Sequence, residues 1–425
     1  MLQTSLRSVI VLLGVVLLVF TSMVGCGGSG EPSPSPLVQP TGVPKTSPVE
    51  NAVVTIGNLT DLTGVSANAQ VYINMALEDM VKYYNDNNLI PGVKVEVVSY
   101  DNEFNPARDI PGYEWLKERG ADLLVSCVPP TPVSLKPTVD EDEFVMFVAT
   151  ANLEEIMPPG YVFSFGIVPQ NCAYTLARWI SENHWDYEAK GPAKIGGAAW
   201  TDAFSVNFMS AVEEYAEMHP EQFEFQGAYL NNFQFIWDSE IEALKDCDYV
   251  FTPTPMHVFV KDYITAGYDT TFIGTDTQGA FMGLIDKGDL WDDIDGMLFI
   301  RASQYWTEKG PIIDLTKEIL FENHDSAEAE TIMRSGVGYL AASQWFQVME
   351  IIKGAAETVG PENIDSVALY NATISYSEMV SGVERYSYDA TKRYSPNYCI
   401  IQEARAEDRN IYMLDPNWLP FDLEP

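Results

Sequence analysis

Five cysteines and four histidines are the side chains best able to do covalent or metal chemistry in this 425-residue chain. Cys26, Cys127, Cys172, Cys247 and Cys399 form no CxxC pair and no Cys/His cluster, so their spacing predicts no zinc site. His184, His219, His257 and His324 are scattered, none beside a serine or cysteine nucleophile. No G-x-S-x-G elbow, H-E-x-x-H pair or Walker sequence occurs. Gly336-Val337-Gly338-Tyr339-Leu340-Ala341 has the outline of a G-x-G-x-x-A dinucleotide fingerprint. Residues 327–334 before it read as helix, whereas such a site opens from a strand. The carboxylates are too many to single out a catalytic pair: 61 acids stand against 24 bases, a formal charge of −37. That field repels nucleic acid and anionic lipid and favours solubility, with a cation-attracting cleft as the other use for it. The expectation is a protein that is not an enzyme and has neither cofactor nor metal.

What remains is binding chemistry at the ends of strands. Val53-Val54-Thr55-Ile56 reads as a β-branched strand, and Gly57, Asn58, Asp61 and Gly64 as loop formers. Tyr72, Ala76, Met80 and Tyr83 then recur at helical spacing. In α/β folds a ligand sits outside the carboxyl end of such a strand, where loop and helix start supply backbone donors. Residues 93–98 alternate with period two, and 106–119 read as helix. Strands are expected at 122–126, 144–149 and 161–165. Strands alternating with helices imply βαβ units and parallel sheets.

The plan then restarts. Helices are expected near 172–183, 204–218, 239–245 and 258–266, and strands near 194–200, 223–228, 249–252 and 271–274. Residues 296–300 read as a strand crossing back. Helices follow at 312–323 and 338–357, the second with an apolar stripe of Leu340, Phe346, Met349 and Ile352. Short strands are expected at 384–388, 398–402 and 411–414. Cys127, Cys172, Cys247 and Cys399 allow three pairings into two disulfides, or burial as plain thiols.

Residues 1–26 read as a secretory signal, with Arg7 ahead of an apolar run at 9–20 that is too short for a stable span. Met23-Val24-Gly25-Cys26 resembles the bacterial lipobox, which implies lipidation of Cys26 and anchoring to the outer face of a cell membrane. Residues 27–51, rich in proline, glycine and serine, read as a tether.

Over about 52–415 the order of segments resembles the leucine/isoleucine/valine-binding protein family of ABC-transporter substrate-binding proteins. Leu62-Thr63-Gly64 is similar to the family's P-L-T-G turn, with Asp61 in place of the proline. Residues 91–101 (PGVKVEVVSYD) resemble its G-x-x-V-E-L-V-x-x-D stretch, and Asn105-Pro106-Ala107 its D-P-x-x-A helix start. Val148-Ala149-Thr150-Ala151 and Phe272-Ile273-Gly274-Thr275-Asp276 resemble two of its strand ends. The resemblance implies an α/β type I periplasmic-binding fold: two Rossmann-like lobes with parallel sheets joined by a three-crossover hinge. Lobe 1 would be 52–166 plus 302–378, and lobe 2 167–301 plus 379–425.

The resemblance also implies a ligand held in the cleft between the lobes. Three loops of lobe 1 would hold its polar end: 62–70, including Ala69; 128–134, including Thr131; and 149–152, with Ala149, Thr150 and Ala151. Thr131 and Thr150 carry the hydroxyls, although Thr150 could equally cap a helix. Pro129, Pro130 and Pro132 stand where the family usually has serines and offer no N–H, which disfavours an amino-acid carboxylate. From lobe 2 the resemblance implies Phe204 as the stacking aromatic and Trp200 as a second wall, both equally suited to the core. Thr254 lies at the next strand end, and Asp276 would meet a ligand ammonium. The implied function is a monomeric, lipid-anchored extracytoplasmic receptor that captures a small polar or amphipathic solute, such as an amino acid or amide, for an ABC permease and its ATPase. The alternative is a surface sensor subunit or hydrolase on the same scaffold.

Overall fold

The computed structural model describes residues 52–232 and 234–425. The expected signal segment, Cys26 and the tether lie outside the described residues. Fifteen strands are described: β1 Ala52–Thr60, β2 Val93–Asp101, β3 Leu123–Ser126, β4 Met146–Val148, β5 Val162–Ser164, β6 Ala193–Trp200, β7 Phe223–Asn231, β8 Tyr249–Phe251, β9 Thr271–Gly274, β10 Leu298–Arg301, β11 Ser377–Val380, β12 Val383–Ser387, β13 Tyr398–Arg405, β14 Asn410–Met413 and β15 Leu419–Pro420.

The first sheet has the order β2-β1-β3-β4-β5 and is parallel throughout. Its register sets Ile56 beside Val97 on one side and Leu123 on the other. Leu123, Leu124, Val125 and Ser126 are all buried, as expected of a strand covered by helices on both faces. The order reverses between β1 and β3, so the crevice outside their carboxyl ends is a topological switch point.

The second sheet runs β14-β13-β10-β9-β8-β6-β7, with β15 also paired to β13. Its β6–β10 portion is parallel and reverses between β6 and β8. The rest of this sheet is antiparallel: β13 runs antiparallel to β10, and β14 and β15 antiparallel to β13. Antiparallel neighbours need only a short turn, such as the four residues between β13 and β14, whereas a parallel strand needs a crossover of a dozen or more. A small hairpin, β11–β12, stands apart from both sheets.

Between β10 and β11 the helices Pro311–Asn323 and Ala342–Val359 pack on helix Ala67–Asp86, which follows β1. Trp345 joins the two sides. It is fully buried, its Nε1 donates to the Ile73 carbonyl at 3.1 Å, and its ring meets Phe165 edge-on at 5.2 Å. Helix Ser366–Ile374 had no expectation in the sequence. Helix Ser326–Ser335 precedes Gly336, so no strand leads into that glycine run. Under the second sheet, Phe208 stacks on Phe251 at 4.4 Å. All four described cysteines are buried free thiols, which selects that reading over the disulfide pairings.

Candidate functional site

A cavity of about 170 Å³ lies where the carboxyl ends of the parallel strands of both sheets converge. Its wall takes residues that follow β1, β3, β4 and β5 of one sheet and β6, β8, β9 and β10 of the other. Seven of the expected site residues line it together: Ala69, Ala149, Thr150, Trp200, Phe204, Thr254 and Asp276. Thr131 and Ala151 do not. Thr131 is fully buried at the start of helix Thr131–Glu141, where its hydroxyl accepts from Asn102 Nδ2 at 3.3 Å and donates to Asp109 at 3.4 Å. Pro132 sits in the first turn of that helix, where a missing N–H breaks no bond. The proline-rich loop is thus largely a helix start. Ala151 is packed into the core under the first sheet.

On the β1 side, helix Ala67–Asp86 begins at the cavity wall with Ser66, Ala69 and Gln70. Asp61 is fully buried just before it. Its carboxylate accepts from the amides of Gly64 and Ser66 and from the Ser66 hydroxyl, the last two at 2.8 and 2.7 Å. Gln70 is held at both ends, donating to the Cys127 carbonyl at 2.7 Å and accepting from Thr60 at 3.1 Å.

After β4, Thr150 Oγ1 donates to the Ile167 carbonyl at 2.8 Å. The helix cap considered for Thr150 belongs instead to Asn152, which forms a reciprocal capping box with Glu155. Burial pushes the Glu155 carboxyl up to about 7, against the Asn152 bonds that pull it down. After β5, Gly166 is required by close approach, because a Cβ there would lie 1.7 Å from the Ala149 carbonyl oxygen.

On the opposite side, Trp200 donates from Nε1 to the Gln234 carbonyl at 3.0 Å and meets Phe235 edge-on at 5.3 Å. Phe204 is buried and stacks on Phe208 at 6.4 Å. Each is therefore both core and wall. Asp202 caps helix Ala203–Met218 by accepting from the Ser205 amide at 3.0 Å, and burial raises its carboxyl above the ordinary range.

Asp276 was expected to await a ligand cation, yet it already has one. Arg301, the last residue of β10, is fully buried and donates from Nε to Asp276 Oδ1. Its other nitrogens donate to Gln402 at 3.0 Å and to Ser303 at 2.8 Å. Sequence reasoning missed Arg301, although a cation ending the apolar run 297–300 demands a buried anion. It also missed the turn after helix Ser326–Ser335, which adds Val337, Gly338 and Leu340 to the wall.

The chemistry on offer is that of a receptor with aromatic and aliphatic walls. No group of three or more His, Cys, Asp or Glu side chains among the described residues is arranged to hold a metal ion. No helix among the described residues is long and apolar enough to cross a membrane.

A family model described as "Periplasmic binding protein" matches residues 53–371. Among solved structures, the chain superposes on a branched chain amino acid ABC transporter from Thermus thermophilus with bound valine, at 19% identity over 87% of this chain and 97% of that one, TM-score 0.74. A fatty acid ABC transporter substrate-binding protein from Thermomonospora curvata matches at 14% identity, 88% and 93% coverage and TM-score 0.72. An ABC transporter solute binding protein from R. palustris in complex with 4-hydroxybenzoate matches at 16% identity, 87% and 97% coverage and TM-score 0.70. A search of curated sequences found no match. The family match spans three quarters of the chain, and the superpositions cover 87–88% of it at TM-scores of 0.70 to 0.74. The chain belongs to the periplasmic binding protein family and has the type I fold.

Proposed function

We propose that this protein is an extracytoplasmic, lipid-anchored receptor that captures a small solute in the cavity and passes it to an ABC permease powered by a separate ATPase. One observation carries the reading: the carboxyl ends of eight parallel strands, four from each sheet, converge on one mostly apolar cavity. That is where open α/β sheets bind ligands. Two of the superposed structures, one with valine and one with 4-hydroxybenzoate bound, support a small organic solute.

In this reading the two lobes are 52–166 plus 302–378 and 167–301 plus 379–425, and they close on the solute by hinge motion. Ala69, Ala149, Thr150, Trp200, Phe204, Thr254 and Asp276 form the contact set, with Arg301 and Ser303 behind Asp276. Cys26 carries the lipid, and residues 27–51 hold the monomeric receptor off the membrane.

The test is a thermal-shift and small-angle scattering screen of the mature protein against amino acids, amides, short acids, alcohols and aromatics. A solute at a hundred times its Kd stabilises the fold by about 2.7 kcal/mol. The expected result is stabilisation by one chemical class together with a smaller radius of gyration. Turnover of a stabilising compound, or stabilisation by none, overturns the reading. Cys26→Ala is expected to move the protein from the membrane fraction to the medium or periplasm, and unchanged membrane retention removes the anchor.

A further inference from the structure

We infer that the solute is electrically neutral and largely apolar, because every charged device around the cavity is already matched within the protein. This rests on the receptor reading above and specifies its substrate class. A site for an ionised solute must keep at least one charge or one cluster of donors unspent. Here the candidates are occupied one after another.

Anion capture would use the start of helix Ala67–Asp86, the strongest donor cluster on the first side. Asp61 stands in the loop just before it as an internal anion and takes the Gly64 and Ser66 amides and the Ser66 hydroxyl, while the Ala67 and Ala69 amides of the first turn donate to the Gly64 and Ser66 carbonyls. Pro129, which lines the cavity, has no N–H. Thr150 directs its hydroxyl proton to the Ile167 carbonyl. The start of the next helix, Leu153–Ile156, is closed by the Asn152–Glu155 box. Arg301, the one basic residue on the wall, has no exposed side-chain surface and points three of its nitrogens at Asp276, Gln402 and Ser303.

Cation capture would use Asp276, but the Arg301 guanidinium neutralises it. Asp202, the other acid on the wall, sits on the amide end of a 16-residue helix with Oδ1 spent on Ser205, so the helix dipole offsets its charge. What remains for a solute is uncharged: the Ser303 hydroxyl proton and the Gln344 amide, set among Ile73, Phe165, Ile167, Phe281 and Leu340. The size agrees. Apolar cavities on the order of 150 Å³ take up a benzene-sized molecule, and this one holds about 170 Å³. The solute is therefore about one aromatic ring or one branched aliphatic chain, with an alcohol, amide or carbonyl at its polar end.

The test is calorimetric titration of the full-length protein with two shape-matched series. One is phenylacetamide, phenylacetate, phenethylamine and phenylalanine; the other is isovaleramide, isovalerate, isoamylamine and leucine. The neutral amide of at least one series is expected to bind at least tenfold tighter than its three ionised partners. Two variants reverse the preference in opposite senses. Asp61→Ala removes the acceptor, frees the Gly64 and Ser66 donors and is expected to gain at least tenfold for the carboxylate member. Arg301→Met exposes Asp276 and is expected to gain for the amine member. Circular dichroism melts identify a variant that has not folded, and in that case the wild-type series decides alone. An ionised member binding as tightly as its amide overturns the neutral class and leaves solute capture standing. Binding by no member overturns the neutral class at this size, while the broad screen above still judges capture.

Discussion

Asp276 and Arg301 illustrate how one residue's meaning depends on another a strand away. Removing the carboxylate with Asp276→Ala leaves a fully buried guanidinium with no counter-charge. Breaking a buried pair from one side costs about 3–5 kcal/mol. Chemical denaturation is expected to show a loss of that size, and a loss below 1 kcal/mol would mean that solvent reaches Arg301. The same variant separates two readings of Asp276, because a ligand contact would change affinity without touching stability. Gly166→Ala is a second case. Its Cβ would overlap the Ala149 carbonyl oxygen, so backbone must move. It is expected to destabilise by about 2 kcal/mol or more, in line with overpacking at sites that cannot relax. Wild-type stability on denaturant titration would contradict the close approach. These two residues were unequally legible in the sequence. Asp276 stood out at a strand end, whereas Gly166 owes its role to the approach of a segment 17 residues away, which no local pattern encodes.

Elements bring the titrating groups together. Helices Ala67–Asp86, Pro311–Asn323 and Ser326–Ser335 meet where His324 Nε2 lies 2.8 Å from Asp79 and Nδ1 lies 3.2 Å from Glu328, with Tyr339 also donating to Asp79 at 2.7 Å. Burial pulls the His324 pKa down, but Asp79 and Glu328 outweigh it and raise it above the ordinary 6.5. A raised imidazole contributes stability that is fully present below pH 6.5 and is lost as pH rises through its folded value. His324→Gln is therefore expected to flatten the stability profile above pH 6.5, and an unchanged slope would detach His324 from these acids. Glu155 acts in the same sense by another cause, burial raising its carboxyl from 4.5 to about 7. Its stabilising, protonated form is lost as pH rises from about 4.5 through 7. Glu155→Gln, which keeps the capping geometry, is expected to remove that slope in pH-dependent melts.

The long helices and most strands of the first sheet were readable because alternating and 3.6-residue periods survive in local sequence. The start of helix Thr131–Glu141 was hidden by prolines that read as loop, and helix Ser366–Ile374 by an apolar face too diffuse to show a stripe. The antiparallel strands β13 and β14 were seen as strands but not as a reversal of direction, and the two-residue β15 was not seen. Strand direction is set by connection geometry, which lies outside any one strand's sequence.

At the scale of the molecule, two sheets contribute to one cavity from residues more than two hundred positions apart. The sequence named seven of its wall residues because the family's segment order placed them at strand ends. It missed Arg301, Ser303 and Gln344, whose part depends on which strand end faces which. The net charge of −37 adds a prediction here. Long-range repulsion between like-charged halves is screened by salt, with a Debye length of about 10 Å at 0.1 M. Raising ionic strength from 0.01 to 0.5 M is expected to tighten solute binding if closure brings acidic surfaces together, measured as Kd by calorimetry. Salt-independent affinity would show that the approaching faces carry no net repulsion.

Much of the wall comes from segments just past strand ends, such as Asp202, Thr254 and Asp276, while strand interiors and helix faces supply most of the hydrophobic clusters, with Trp200, Phe204 and Leu340 serving both. The chain therefore holds two overlapping vocabularies, one that keeps it folded and one that chooses its cargo. A descendant, or an engineer, can change cargo in small steps at wall positions that no hydrophobic cluster uses, such as Thr254, Ser303 and Gln344.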